Sequence, residues 1–134
     1  SFVRRLMPES ALVFFNTGRE TEFMRPVTGG VRHPWSESQP WLLFECGEGE
    51  EVRAAYGGTV TAVSELSGGG WGLILDHGDG LESVYAYLSR PEVKAGDAVE
   101  RGGALAAAME NGSAVYYELR RGGTAIDPGS RMGL

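Results

Sequence analysis

The sequence is poor in the residues that most often hold metals or act as nucleophiles. Its 134 residues include two histidines, His33 and His77, and a single cysteine, Cys46. One cysteine excludes a disulfide within the chain, and the spacing of these three residues fits no short metal-ligand pattern. We therefore expect neither a metal centre nor a thiol nucleophile built from histidine and cysteine.

Positive charge and long apolar runs are also scarce. Lys and Arg number 12 against 18 Asp and Glu, which gives a formal charge of −6. Nucleic-acid binding needs concentrated positive charge, so this balance argues against a nucleic-acid partner. No stretch approaches the ~18 apolar residues of a membrane-spanning helix. Because the sequence begins at Ser1 rather than at methionine, we expect a longer natural protein, and a membrane anchor or coiled coil upstream would fit it.

Glycine, by contrast, is abundant, with 21 residues against 6 prolines. Dense glycine between apolar runs predicts short strands joined by tight turns. The predicted strands are Trp41–Cys46, Val52–Ala55, Thr59–Leu66, Trp71–Asp76, Leu81–Leu88, Gly102–Ala108 and Ala114–Arg121. They predict an all-β fold, an antiparallel sandwich or barrel-like sheet. Residues 1–23, which include the apolar run Ala11–Phe15, are expected to form a short irregular N-terminal extension, and residues 24–134 the β domain.

Several phrases of the chain resemble those of one known family. They are Gly57–Val60, Leu73–Leu81, Val84–Ser89, Val93–Val99 and Tyr116–Pro128. With a weaker match that begins at Met24, they resemble the LytM-type domain of M23-family, lysostaphin-type zinc peptidases. The resemblance implies the antiparallel β fold of LytM domains for residues 24–134.

The resemblance also implies which residues stand at the metal-binding positions of that family. The His-x-His phrase of such peptidases falls on Ala114 and Tyr116, and the histidine of their Tyr-Ala-His-Leu phrase falls on Tyr87. Their His-x-x-x-Asp segment falls near Gln39 and Leu43. A catalytic zinc needs about three His, Asp, Glu or Cys ligands and an open position for water. We therefore predict a degenerate domain with no zinc and no other cofactor, in which these five residues line a groove.

Aromatic residues are frequent enough to line such a groove. They include Trp35, Trp41, Trp71, Tyr85, Tyr87, Tyr116 and Tyr117. Because successive residues of a strand face opposite sides, Tyr85 and Tyr87 are predicted to share a face, whereas Tyr116 and Tyr117 are not. An aromatic groove binds peptide or glycan by stacking and hydrogen bonding, and packing in the core is the alternative for each ring.

A fold without its metal ligands indicates a binding, regulatory or scaffold module rather than a catalyst. Inactive members of the family act outside the cytoplasm, where some activate cell-wall amidases at division and one group builds a channel during sporulation. The resemblance therefore implies a protein partner in the bacterial cell envelope, with peptidoglycan as a further ligand. Two alternatives stay open, a zinc-dependent peptidoglycan endopeptidase with an atypical metal site that would use His77, and a plain structural domain. Without such a role, His77 is predicted to be a turn residue bonded to the backbone.

Overall fold

The computed structural model describes residues 22–134. The predicted strand Ala11–Phe15 and nearly all of the predicted extension lie outside these residues, and the boundary after residue 23 stays a prediction. The strands are β1 (Val31–His33), β2 (Leu42–Glu45), β3 (Glu51–Arg53), β4 (Gly58–Glu65), β5 (Trp71–Gly78), β6 (Leu81–Leu88), β7 (Ala98–Val99), β8 (Ala104–Ala107), β9 (Ala114–Arg121) and β10 (Thr124–Ile126), and the helix α1 (Gly129–Met132) follows. No helix within residues 22–134 is long and apolar enough to cross a membrane.

Eight of the ten strands form one antiparallel sheet. Its order is β1-β2-β9-β6-β5-β4-β7, with β10 paired to β9 beside this path, while β3 and β8 form a separate two-stranded sheet. Every strand pair is antiparallel, which confirms the all-β prediction. Each strand predicted within residues 22–134 is present. The very short β1, β7 and β10 escape prediction because two or three residues show no readable alternation.

One hydrophobic core joins the two sheets. Tyr85 and Tyr117 of the large sheet and Val52 and Leu105 of the small sheet are fully buried in it, together with Phe23. Along the strands of the large sheet, buried residues alternate with partly or fully exposed ones. The large sheet therefore has a core face and an opposite face, which we call the open face.

The strand β6 breaks its alternation at Tyr87. Trp71 pairs with Leu88 while Leu73 pairs with Tyr85, so β6 holds one residue more than β5 between these pairs. This arrangement is a β-bulge, and Tyr87 takes a left-handed φ of 66° within it. Tyr87 is 47% exposed whereas Tyr85 is fully buried. The prediction that these two tyrosines share a face is therefore wrong, because the bulge turns Tyr87 out of the core.

Candidate functional site

Four rings follow one another across the open face. The centroids of His33 and Trp41 lie 5.6 Å apart with the rings nearly parallel, and those of Trp41 and Tyr116 lie 5.8 Å apart. The rings of Tyr87 and Tyr116 meet edge to face, with centroids 6.0 Å apart. We call these four residues the aromatic row. Ring pairs at 4.5–7 Å attract one another beyond their apolar burial, so the row is a continuous aromatic surface.

Strand pairing places the centre of the row. In β9, Tyr116 alternates with Val115 and Tyr117, which are both fully buried, so Tyr116 and Tyr117 face opposite sides as predicted. Leu43 of β2 and Ala86 of β6 stand opposite Tyr116 in the two neighbouring strands. The sequence predicts a groove at these positions, and we call the surface formed by the row and these apolar neighbours the open-face groove.

The structure brings most of the five predicted site residues to this groove. Leu43, Tyr116 and Tyr87 lie at its centre, as described above. The side chain of Gln39 hydrogen-bonds the Nε2 atom of His33 and so reaches the end of the row. Ala114 lies two residues before Tyr116 on the same face, where it stands opposite Glu45. The assignment of these residues to a lost metal site stays a prediction.

Two charged residues of β9 complete the groove. Glu118 is 8% exposed, and its carboxylate accepts hydrogen bonds from the Tyr116 hydroxyl and from Nε of Arg120, each at 2.5 Å. Burial, reinforced by the bond to Glu118, raises the pKa of Tyr116, so its hydroxyl stays protonated. The Glu118 carboxylate also raises the pKa of Arg120. The sequence analysis overlooked this pair, although residues 116, 118 and 120 share a face by the two-residue period of a strand.

Polar partners are missing at the His33 end of the row. The Nδ1 atom of His33 and the Nε1 atom of Trp35 are buried without a hydrogen-bond partner among the described residues. His33 is the last residue of β1, and its ring stacks on Trp41. Buried polar atoms without hydrogen-bond partners are uncommon in folded proteins. The His33 end of the groove has two such atoms, whereas the polar groups of Tyr116 and Glu118 at its centre are hydrogen-bonded.

The side chains of the groove do not fit a zinc ion. No group of three or more His, Cys, Asp or Glu residues that could hold a metal occurs in the described part of the chain. Leu43 and Ala114 have no donor atom, and the Glu118 carboxylate is already bound by Tyr116 and Arg120. The Arg120 guanidinium beside that carboxylate also opposes a dication. No step through metal-bound water follows from this arrangement.

Fold and groove together define the class, an antiparallel β domain of the LytM type whose groove holds aromatic rings and a carboxylate paired with an arginine. The sequence profile of peptidase family M23 matches residues 42–128, and the chain belongs to this family. The prediction of an M23-type, LytM-like domain is thereby confirmed.

Three curated proteins are similar in sequence to this chain. The murein hydrolase activator EnvC of Escherichia coli is 30% identical over 118 residues, which cover 81% of this chain and 28% of that protein. An uncharacterized metalloprotease of Haemophilus influenzae is 33% identical, covering 85% of this chain and 23% of that protein. The stage II sporulation protein Q of Bacillus subtilis is 31% identical, covering 65% and 33%. The chain thus spans a third or less of the length of each of these relatives.

Solved structures agree on the fold. A peptidase M23 structure from Pseudomonas aeruginosa superposes with a TM-score of 0.75 at 25% identity, covering 86% of this chain and 52% of that one. The SpoIIQ–SpoIIIAH pore-forming complex contains a chain that superposes with a TM-score of 0.66 at 22% identity, covering 84% and 91%. At 22% identity, the similarity to the chain of the SpoIIQ–SpoIIIAH complex shows the fold alone.

Proposed function

We propose that this domain is a non-catalytic binding module of the bacterial cell envelope, which holds a protein partner in the open-face groove. The binding unit is residues 24–134, with residues 1–23 as its N-terminal extension. It acts outside the cytoplasm, either as an activator of a murein hydrolase at division or as a scaffold of a sporulation channel. Peptidoglycan is a second ligand for the same aromatic surface.

One observation carries this proposal. The family resemblance aligns the metal-ligand positions with Gln39, Leu43, Tyr87, Ala114 and Tyr116. The Tyr116 hydroxyl donates its hydrogen to Glu118. A protonated phenol in that bond is neither a metal ligand nor a general base. The exposed ring of Tyr87 is, however, well suited to pack against a partner, because tyrosines bury large area at low entropic cost.

The relatives support a protein partner without choosing between the two roles. EnvC is named as an activator of a murein hydrolase, and the stage II sporulation protein Q is named for sporulation. Since the chain spans a third or less of EnvC and of the sporulation protein, the roles of those whole proteins enter here only as proposals.

A second candidate is a zinc-dependent peptidoglycan endopeptidase with an atypical metal site. It is favoured by the relative named as a metalloprotease, which is 33% identical. Metal analysis of protein purified without chelator separates the two functions. We expect zinc far below one ion per chain and no cleavage of purified peptidoglycan. Near-stoichiometric zinc that is lost on His77→Ala, together with peptide release, would establish the endopeptidase instead.

The groove itself is tested by a Tyr87→Ala, Tyr116→Ala double variant. A photo-reactive phenylalanine analogue in place of Leu43, inside the groove, should crosslink a defined envelope protein, and unlabelled protein should compete with the crosslink. The double variant should compete at least about tenfold less well, because hot-spot tyrosines each contribute about 1–2 kcal/mol or more. If the double variant competed as well as the unchanged chain, the proposal would fail, and the domain would be a structural one whose groove binds nothing.

A matched control excludes a general loss of structure. Thr61 and Glu65 are exposed residues of β4, which is separated from β9 by β5 and β6 in the sheet. The Thr61→Ala, Glu65→Ala double variant should compete as well as the unchanged chain. Circular dichroism of all three proteins should give the same β-sheet spectrum.

A further inference from the structure

The open face continues along the strands beyond the aromatic row. In β9, Glu118 and Arg120 follow Tyr116 on this face, while Tyr117 and Leu119 between them are buried in the core. Strand pairing sets each of the two beside residues of β6 and β5, in rows that we call the middle rung (Glu118, Val84 and Ile74) and the outer rung (Arg120, Glu82 and Asp76). Because four residues of a strand span about 13 Å, the outer rung lies about that far from the Tyr116 row.

The middle rung carries aliphatic surface. Ile74 and Val84 stand directly opposite one another and are half-buried, and Ala62 of β4 stands opposite Ile74 on the other side. None of the three belongs to the core or to the partly buried hydrophobic residues that pack against it. We call these residues the aliphatic patch. It continues the open-face groove through Ala86, the next residue of β6 on this face. Apolar patches with a polar rim are typical of interaction sites.

The outer rung places two like charges opposite each other. Asp76 and Glu82 are directly paired across β5 and β6, where Cα atoms are about 4.5–5.5 Å apart. Like charges in such a pair lower the stability of a sheet. Neither carboxylate forms an ion pair with any residue within 22–134. Asp76 accepts a hydrogen bond from the Gly78 amide at 2.9 Å, which leaves its charge in place. Arrangements that cost stability are expected at functional sites.

The one arginine of the outer rung does not balance these charges. Arg120 stands opposite Glu82, but its Nε atom donates to Glu118 at 2.5 Å and its ion pair is with Glu118. The middle and outer rungs together hold three carboxylates, those of Asp76, Glu82 and Glu118, and one guanidinium. This end of the open face is therefore net negative and complements a positively charged side chain.

We propose that the open-face groove receives an extended segment of its protein partner in which an aromatic or apolar residue and a lysine or arginine stand four positions apart. The first packs on the aromatic row, an aliphatic residue midway packs on the aliphatic patch, and the cation lies between Asp76 and Glu82. The two-residue repeat of an extended chain, about 6.6–6.8 Å, matches the distance between rungs. This inference rests on the function proposed above and adds the charge and spacing of the partner.

Nuclear magnetic resonance titration of the full chain tests charge and spacing with four acetylated peptide amides. Phe-Ser-Val-Ser-Lys has the proposed spacing, two analogues carry norleucine or glutamate in place of lysine, and Phe-Lys-Val-Ser-Ser moves the same cation to the other side of an extended chain. The first peptide should shift the amide signals of Glu82 and Val84. It should bind about fivefold more tightly than the norleucine and moved-lysine peptides, and the glutamate peptide should bind most weakly. No shift with the first peptide, or equal affinity for the lysine, norleucine and moved-lysine peptides, would overturn the proposal.

Neutral variants of the outer rung locate the cation. Asp76→Asn, Glu82→Gln should bind Phe-Ser-Val-Ser-Lys about fivefold more weakly and the norleucine peptide unchanged. Its urea midpoint should rise, because the repulsion is removed while the Asn side chain still accepts from the Gly78 amide. The control Glu48→Gln, Glu92→Gln changes the net charge equally at exposed residues outside the large sheet and should bind both peptides normally. A lower midpoint together with weaker binding of both peptides would assign the two carboxylates to folding and refute the proposal.

The crosslinking experiment separates this inference from the function on which it rests. The Asp76→Asn, Glu82→Gln variant should compete for the crosslink from position 43 about fivefold less well than the unchanged chain. If it competed equally while the Tyr87→Ala, Tyr116→Ala variant did not, the groove would still bind a partner and the proposed basic residue would be wrong. If neither variant lost competition, the proposed function itself would fail.

Discussion

The two faces of the large sheet use tyrosine in opposite ways, although the residues come from the same two strands. On the core face, Tyr85 and Tyr117 meet at 5.3 Å and are fully buried. On the open face, Tyr87 and Tyr116 meet at 6.0 Å, and Tyr87 is 47% exposed. Residue type alone therefore does not separate core tyrosines from open-face tyrosines in this fold. The register of the strands and one bulge separate them.

Hydrogen bonding also separates the faces. On the core side, the Tyr117 hydroxyl and the Ser83 hydroxyl lie 2.6 Å apart, and Ser83 lies 2.6 Å from Nε2 of His77. His77 in turn bonds the Gly57 carbonyl through Nδ1 at 2.8 Å, which confirms the predicted backbone bond. The predicted turn position is wrong, because His77 lies within β5, where the hairpin has not yet begun. Since a carbonyl accepts only, Nδ1 carries the proton and the chain of donors runs from Tyr117 to Ser83 to His77. This core network is closed, whereas the open face leaves Nδ1 of His33 without a partner among the described residues.

The largest expected difference between the faces is in stability. Tyr85→Ala should lower the free energy of unfolding by about 3–5 kcal/mol, because it leaves a cavity in the core. It also removes the acceptor of the Ala55 amide, which bonds the Tyr85 hydroxyl at 2.8 Å. Tyr87→Ala, two residues away, should cost less than about 1 kcal/mol. Urea denaturation measures both, and similar losses in the two variants would show that the faces are not distinct.

The same residues show how far the sequence can predict this structure. Alternation and glycine turns predict β4, β5, β6 and β9, because each spans eight residues between clear turn signals. The family resemblance brings Leu43, Tyr87 and Tyr116 together, and the structure places them on one groove. The exposure of Tyr87 cannot be predicted from the sequence. It depends on a bulge, and a bulge forms only when the neighbouring strand has one residue fewer between the same two pairs.

A smaller effect is expected from the backbone of the bulge. The left-handed conformation at Tyr87, with a φ of 66°, costs a residue other than glycine roughly 1–2 kcal/mol. Tyr87→Gly should therefore be about 1 kcal/mol more stable than Tyr87→Ala. In an ordinary strand position, glycine is instead about 0.5–1 kcal/mol less stable than alanine. The order of the two variants in urea denaturation decides the point, and alanine above glycine would argue against the bulge.

The smallest expected effect is the pH dependence of the core network. Burial lowers the pKa of His77 below its ordinary value of 6.5, against the raising effects of the Gly57 carbonyl and of Asp76 and Glu82. Between the lowered folded pKa and 6.5, the unfolded chain binds a proton at His77 that the folded chain does not. Stability should therefore fall as the pH drops through this window, by at most about 1.4 kcal/mol for each unit by which the pKa is lowered.

The structural reason lies in the direction of the hydrogen bonds. A protonated His77 would donate from Nε2 to Ser83, which must then turn its own hydrogen toward Tyr117 and leave the Tyr117 hydroxyl hydrogen without that acceptor. His77→Gln removes the titrating group, so its urea midpoint should change less than that of the unchanged chain between pH 7.5 and the lower end of the window. Comparison with His33→Gln, on the open face, isolates the core histidine. If His33→Gln abolished the pH dependence and His77→Gln preserved it, the acid-sensitive network would belong to the open face.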